Sequence, residues 1–444
     1  MSLLRADQDL TRDSYYAATA ARGDGFPVLQ DEVDADVAVV GGGLAGLSAA
    51  IELAERGFSV VLLEARSVGS GASGRNGGQA IHGLACDQAE IEAQLGLAAS
   101  QRVWAMSIEA LDLIRARCQR FAIDCDWRDG WLGLAVDARR AATLRRWQER
   151  MAGVYDYPTD WIAPQEIGRW IASPRFHSGL HDARSGHLHP LKYCLGLARA
   201  AHSLGVRLHE GSAVTALEPA VAPGTSTVLR TAQGRVRARQ VLLAGNVYLQ
   251  AFAPALAPAL SARIMPVGTY IVCSERLAPA QAAALIPSRA AVCDTNFVLD
   301  YFRPTADDRL LYGGRVSYST VTPKDLAASL HRRMVRSFPQ LATTKIEHAW
   351  GGFVDISMNR APDFGRLPVQ GTACSSLYYL QGFSGHGLAL SGLAGKLVAE
   401  AMAGDASRFD TFARLKHRPF PGGRLLRRPA LVLGMAYYRL RDLL

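Results

Sequence analysis

The apolar positions along the chain follow two periods, and the switches between them mark the elements. Asp36–Val40 is a short β-branched run and predicts a buried parallel strand. Glycines follow, and then Leu47, Ala50, Ile51 and Ala54 recur at helical spacing. That spacing predicts a helix over Leu44–Glu55, ended by Gly57. Ser59–Leu63 is a second short apolar run, closed by Glu64. Together they form a β-α-β unit of about thirty residues. Further along, the pattern predicts helices over Ile91–Phe121, Arg139–Met151, Pro190–Leu204, Pro323–Phe338 and Leu388–Met402. Strands are predicted near Trp131–Val136, Val206–His209, Val228–Thr231, Val241–Ala244, Tyr270–Cys273, Ala291–Cys293, Leu310–Tyr312 and Leu377–Leu380. Residues 1–34 read as a polar lead-in arm, and no repeat or low-complexity linker interrupts the chain.

With 444 residues the chain exceeds what one core supports, so two domains are expected. A net charge of +9 can favour anionic partners, but the basic residues are scattered. No zinc-finger spacing or RNP-type aromatic pattern accompanies them, so no nucleic-acid partner is expected. The seven cysteines are odd in number and none forms C-x-x-C. That reads as reduced thiols in a cytoplasmic enzyme, with no disulfide framework and no metal site. Arg5, Asp7 and Asp9 break any signal-peptide core, and the apolar stretch near Val37–Ile51 is too short and glycine-rich to span a membrane. The tail Leu425–Leu444 mixes arginine with apolar residues. Membrane-surface contact through it is a weak reading, because its apolar residues run round the helix and favour packing on the protein itself.

The chemistry lies in the glycines. Gly41-Gly42-Gly43-Leu44-Ala45-Gly46 follows a strand and opens a helix. In that dinucleotide fingerprint Gly41 makes the turn, Gly43 lets the backbone approach a pyrophosphate, and Gly46 packs the helix on the sheet. The helix N-terminus offers free N–H groups to phosphates. Glu64, about twenty residues on, is placed to bind ribose hydroxyls, with Ala65 and Arg66 beside it. A second glycine-rich stretch runs Gly69-Ser70-Gly71-Ala72-Ser73-Gly74-Arg75-Asn76-Gly77-Gly78-Gln79. A nicotinamide enzyme has no need of it, whereas a flavoprotein's extended cofactor runs past such a loop. Ser70, Ser73 and backbone N–H groups offer phosphate contacts, and Arg75 offers charge.

Gly-Ala-Ser-Gly-Arg-Asn-Gly-Gly-Gln after a Rossmann β-α-β resembles the amine-oxidising flavoproteins of the D-amino-acid oxidase superfamily. Trp350-Gly351-Gly352, Asn359-Arg360-Ala361-Pro362-Asp363-Phe364-Gly365-Arg366 and Gly382-Phe383-Ser384-Gly385-His386-Gly387-Leu388 belong to the same resemblance. Ser14-Tyr15-Tyr16 and Pro421-Gly422-Gly423-Arg424 resemble most the branch acting on γ-glutamylputrescine. The resemblance implies an α/β fold. A discontinuous Rossmann-type FAD-binding domain would comprise residues 1–95, 186–262 and 348–444. A second, mostly antiparallel β-sheet substrate domain would comprise residues 96–185 and 263–347. It implies FAD as cofactor, with Val214, Ala244 and Gly245 among its contacts and the Gly382–Gly387 loop against the flavin ring. The stretch Asp355-Ile356-Ser357-Met358-Asn359 has no cysteine, so FAD is expected to be bound non-covalently.

The expected reaction is oxidation of a carbon bearing an amine, with hydride passing to flavin N5 and oxygen, or else a quinone, as acceptor. The expected substrate is a small amine of the γ-glutamylputrescine type. A sarcosine- or amino-acid-type oxidase would need an arginine clamp for a carboxylate, and Arg303 is the positional candidate. A flavin-binding subunit without turnover is the reading from another class. Tyr270, Tyr301 and Arg303 fall where a substrate roof would form. His386 either donates to the site and sets protonation or makes a structural hydrogen bond in its turn. His187-Leu188-His189-Pro190 lacks a third ligand, so capping or packing is favoured over a metal.

Overall fold

The computed structural model describes residues 14–220, 225–249, 258–296, 299–317, 325–368 and 376–421. The tail Leu425–Leu444 lies outside them. Two sheets organise the chain.

The first sheet has eight strands, six of them in the order Asp363–Leu367, Leu377–Gln381, Arg235–Leu243, Glu32–Val40, Val60–Leu63, Arg207–His209. The five from Leu377–Gln381 to Arg207–His209 are parallel, and antiparallel strands cover the rest. Val37–Val40 sits between Val60–Leu63 and Gln240–Leu243 in register. Val37 and Val39 pack into one buried cluster with the helices, while Ala38 and Val40 pack into another on the opposite face. Both faces are covered, which is why the run is apolar at every position instead of alternating. This is the α/β architecture that the β-α-β unit implied.

The second sheet has nine strands, eight of them in the order Ile346–Ser357, Ile264–Ser274, Leu310–Ser317, Tyr301–Pro304, Ala291–Asp294, Arg128–Ala135, Ser178–His187, Gln79–Ala80. Only the Ala291–Asp294 and Arg128–Ala135 pair is parallel. Gln79–Ala80 is the point where the second glycine loop enters this sheet.

Several expectations are corrected in detail. The lead-in arm is not simply polar: Tyr15 and Tyr16 are buried on a short helix, and Tyr16 meets the Trp350 ring edge-on with centroids 5.2 Å apart. The helix expected over Ile91–Phe121 is two, Gln88–Leu95 and Leu97–Arg120, separated by Gly96 at φ +81°. The Leu97–Arg120 helix packs in the same cluster as the Leu44–Glu55 helix. The second glycine loop contains a short 3-10 turn, Ala72–Gly74, where none was expected. Helix Gly387–Met402 lies close against Leu44–Glu55: a Cβ at Gly395 would come within 2.6 Å of the Ser48 Cβ.

Candidate active site

The Gly41–Gly46 turn is fixed by steric necessity. Gly41 has φ +115°, and a Cβ there would lie 2.7 Å from the Ala244 carbonyl oxygen. A Cβ on Gly46 would collide with the Gly41 carbonyl oxygen. At Gly43 it would meet only the Ser73 hydroxyl, at 2.7 Å. Helix-start N–H groups lack intrahelical partners, so the turn presents the start of the Leu44–Glu55 helix to groups outside it. Leu44 N–H donates to Ser73 Oγ at 3.0 Å, which ties the two glycine loops together.

Glu64 stands at the end of its strand beside this turn. Its carboxylate accepts from Gly42 N–H at 2.7 Å and from Arg66 N–H at 2.9 Å. Burial pushes its carboxyl up, against the pull of those two amides. The second loop is stitched from within. Asn76 Nδ2 donates to Ala72 O at 3.1 Å and Ser73 O at 3.0 Å, and Asn76 Oδ1 accepts from Gly78 N–H at 2.8 Å. Arg75, expected to lend charge to phosphates, is buried and donates from Nε to the Ser70 carbonyl at 2.6 Å. Its rigid fork suits carbonyls within its own loop.

The C-terminal loop is held by Asp355. Its carboxylate accepts from Gly382 N–H and, at 3.1 Å, from Phe383 N–H, and burial raises its carboxyl to about 6. Gly382, Ser384 and Gly385 all take positive φ, so the chain doubles back before the Gly387–Met402 helix. Three other helices have side-chain caps at Asp87, Asp137 and His189, but at His386 no side chain caps the helix start. Those amides are left for whatever occupies the space in front of them.

These three regions line one cavity of about 910 Å³. Of the cofactor residues expected from sequence, Gly41, Gly43, Leu44, Ala45, Glu64, Ala65, Arg66, Ser70, Gly71, Ala72, Ser73, Arg75, Asn76, Gly77 and Gln79 line it. So do Val214, Ala244, Gly245, Phe383, Ser384, Gly385, His386, Gly387 and Leu388. Gly46, Gly78 and Gly382 do not; they shape the turns behind it.

The substrate-roof residues divide. Tyr301 lines the cavity, its ring pressed on Gly77, where a Cβ would lie 2.7 Å from Cε2. Tyr270 and Arg303 are not among the residues that line it. Val267 and Thr269 face the cavity, so Tyr270, one residue further along the strand, points to the other side. There it packs in the cluster of Phe302 and Tyr312. Arg303 is tucked beneath the second loop, donating from Nε to Gly77 O at 2.8 Å and from Nη2 to Tyr16 Oη at 3.0 Å. His386 makes a hydrogen bond outside its turn: Nε2 donates to the His82 carbonyl at 2.8 Å. Burial lowers it to about 4, so it is neutral near pH 7. His189 accepts from Lys192 N–H and so caps its helix. Among the described residues no group of three or more His, Cys, Asp or Glu is placed to hold a metal. Likewise no helix among them is long and apolar enough to cross a membrane.

Sequence reasoning missed one wall altogether. Ile81–Gln88, Trp104, Trp131 and Trp147 line the same cavity. They come from four separate segments and share no motif.

A Rossmann turn, a second glycine loop and a C-terminal uncapped helix around one cavity define a dinucleotide-binding oxidoreductase. Residues 36–401 match the family model described as DAO, FAD dependent oxidoreductase, and the chain belongs to that family. It is 43% identical to the γ-glutamylputrescine oxidoreductase of Escherichia coli over 97% of this chain and 98% of that one. It is 38% identical to a probable oxidoreductase, OrdL, of Haemophilus influenzae over 97% of each. Its fold matches the crystal structure of glycine oxidase from Geobacillus kaustophilus, with TM-score 0.71 and 23% identity over 87% of this chain and all of that one.

Proposed function

We propose that this FAD-dependent oxidoreductase oxidises a primary amine of the γ-glutamylputrescine type, in its neutral form, and holds FAD without a covalent link. The observation that carries the reading is the state of the carboxylates lining the cavity: Glu64, Asp87, Asp294 and Asp355. Each is already engaged. Glu64 and Asp355 accept from backbone amides, Asp87 caps a helix, and Asp294 pairs with Arg175 at 2.5 Å. Burial also raises the carboxyls of Glu64, Asp294 and Asp355, so the lining offers an ammonium little compensating charge and desolvation favours the uncharged amine. Arg303, the positional candidate for a carboxylate clamp, is committed to Gly77 and Tyr16, which removes that candidate for a sarcosine- or amino-acid-type substrate. The full-length similarity to a γ-glutamylputrescine oxidoreductase supports the same reading.

The cavity fits the cofactor. Its volume of about 910 Å³ is at the upper end of the ~300–1,000 Å³ usual for ligand sites. Gly43 and the amide of Ala45 would face the pyrophosphate, Glu64 the ribose, and the Gly387 helix start the flavin's electron-rich edge. The chemistry the bound flavin supplies is two-electron acceptance from the carbon bearing nitrogen, and water hydrolyses the resulting imine to an aldehyde. The chain's part is to orient the amine, exclude water and place the helix start where negative charge collects. Cys86 and Cys293 line the cavity, and burial pushes each thiol up to about 12, so neither offers a thiolate for attachment. The described cysteines are free thiols, consistent with a cytoplasmic enzyme.

The test is anaerobic mixing of the holoenzyme with putrescine, γ-glutamylputrescine, sarcosine and α-amino acids. γ-Glutamylputrescine is expected to bleach the flavin, faster as pH rises toward the amine's effective pKa. Bleaching by α-amino acids alone, or a rate flat from about pH 6 to 10, would overturn the substrate assignment. Admitting oxygen should restore the colour and yield peroxide, whereas restoration by a quinone only marks a dehydrogenase. Acid precipitation is expected to release all the yellow colour, and colour left in the pellet would show a covalent bond.

A further inference from the structure

Building on the amine-oxidising reading, we propose that the tryptophan-walled end of the cavity seats the substrate's amino group. In that seat His82 takes the ammonium proton and Asp182 positions His82. The residues converge from five segments. His82 follows the Gln79–Ala80 strand, Trp104 lies on helix Leu97–Arg120, and Trp131 on strand Arg128–Ala135. Trp147 lies on helix Ala138–Tyr155, and Asp182 on strand Ser178–His187. The His82 ring stacks on Trp147 with centroids 5.4 Å apart, meets Trp131 edge-on at 5.2 Å, and lies 5.6 Å from Trp104. His82 and all three tryptophans line the cavity.

The polar side of the cluster is equally specific. His82 is only 8% exposed, and its Nδ1 lies 2.7 Å from Asp182 Oδ2. Burial alone would raise the Asp182 carboxyl, but hydrogen bonds from His82, Ser185 and Tyr157 outweigh it and hold the group well below the usual range. An ionised carboxylate only accepts, so Nδ1 carries the hydrogen and Nε2 is the ring nitrogen turned away from Asp182. The side-chain hydrogen bonds of His82 among the described residues are both at Nδ1, to Asp182 and Ser185. Asp87 and Arg360 are the charged side chains lining the cavity nearest this wall, and Arg360 acts on His386; the groups in direct contact with the cluster are uncharged. They are Ser185, Tyr157, whose phenol donates to Asp182 at 2.8 Å, and the neutral His386, which holds the His82 carbonyl. That last bond ties the tryptophan wall to the Gly382–Gly387 loop.

The arrangement meets two demands that otherwise conflict. An alkylammonium must be drawn into a site that offers it little compensating charge, and indole faces attract cations without a carboxylate. It must then become neutral. The N–H bond breaks, its electron pair stays on nitrogen, and the proton bonds to His82 Nε2. The imidazolium so formed is stabilised by Asp182, as a buried acid–base pair is.

The experiment is stopped-flow flavin reduction by the amine, under nitrogen, for the wild-type holoenzyme and His82→Gln, Asp182→Asn and Trp147→Leu. At pH 7, His82→Gln is expected to slow reduction about 100-fold, within the usual range for losing a general base. The deficit should shrink to a few-fold near pH 10, where the amine arrives neutral. Asp182→Asn should move the rising limb of the profile to higher pH. A loss in either variant that is constant across pH would overturn the role of the pair. Trp147→Leu should weaken binding about ten-fold with little change in the limiting rate. A parallel titration with butyltrimethylammonium, a cation with no lone pair to oxidise, follows the flavin spectrum of wild type and Trp147→Leu. Equal affinity in both overturns the aromatic seat and leaves amine oxidation standing. Tighter binding by wild type, with no amine able to bleach the flavin, supports the seat and overturns the reaction.

Discussion

At the scale of single residues, the two glycines of the first turn should respond differently to the same methyl group. A Cβ at Gly46 collides with the Gly41 carbonyl, which is backbone and cannot swing away. A Cβ at Gly43 meets the Ser73 hydroxyl at 2.7 Å, and a serine can rotate. Gly46→Ala is therefore expected to unfold the turn, costing about 3 kcal/mol or more through overpacking, and to yield little soluble protein. Gly43→Ala should fold within about 1 kcal/mol of wild type, yet hold less FAD, because the backbone's approach to the pyrophosphate is blocked. Melting temperature and the flavin-to-protein absorbance ratio separate the two, and equal flavin content in Gly43→Ala and wild type would contradict the assignment. Residue type alone did not reveal every side chain's partner. Arg75 was legible as a charge, but its bond to the Ser70 carbonyl was not. Arg303 shares a strand face with Tyr301, but the Gly77–Gly78 turn covers it.

Among elements, legibility followed punctuation. The helix expected over Leu44–Glu55 is the helix observed, because Gly43 and Gly57 bound a clear helical period. Gln79–Ala80 was not predicted as a strand, because two residues carry no period. The tryptophan wall was invisible for a different reason: Trp104, Trp131 and Trp147 each sit where a core residue would, and only the packing of two helices on a strand brings them together. The Gly382–Gly387 loop was legible as a motif, but its anchor, Asp355, lies on another strand and was named only for lacking cysteine. That anchor can be tested. Asp355→Ala removes the one oxygen, Oδ2, that accepts from both Gly382 and Phe383, so two buried N–H groups lose their partner. The expected cost is about 1–3 kcal/mol, with faster flavin loss on dilution. An unchanged melting temperature and flavin off-rate would show that the loop holds itself.

For the whole molecule, the buried titrating groups set opposing pH dependences, and their signs can be worked out. His187 and His189 are lowered to about 3 and His386 to about 4, each chiefly by burial. A histidine depressed in the folded state stabilises above its unfolded value, 6.5 for these groups, and that contribution is lost as pH falls through the folded value. Asp294 and Asp355 are raised to about 6 and Glu64 is raised as well, again by burial. Raised carboxyls act the other way: their contribution is full at low pH and is lost as pH rises through the folded value. Between about pH 6 and 4 the two sets therefore offset one another. Below that, the raised carboxyls are protonated in both states and add no further slope, while the histidines continue to destabilise. Asp182 and Asp307, held below their ordinary 3.8 by hydrogen bonds that outweigh burial, then begin to lose theirs. The melting temperature of the holoenzyme should change little from about pH 7 to 5 and fall steeply below about pH 4. Scanning calorimetry across that range checks it. A steady decline beginning at pH 6.5 would mean the raised carboxyls do not offset the histidines, and that Asp294 and Asp355 are already ionised in the folded protein.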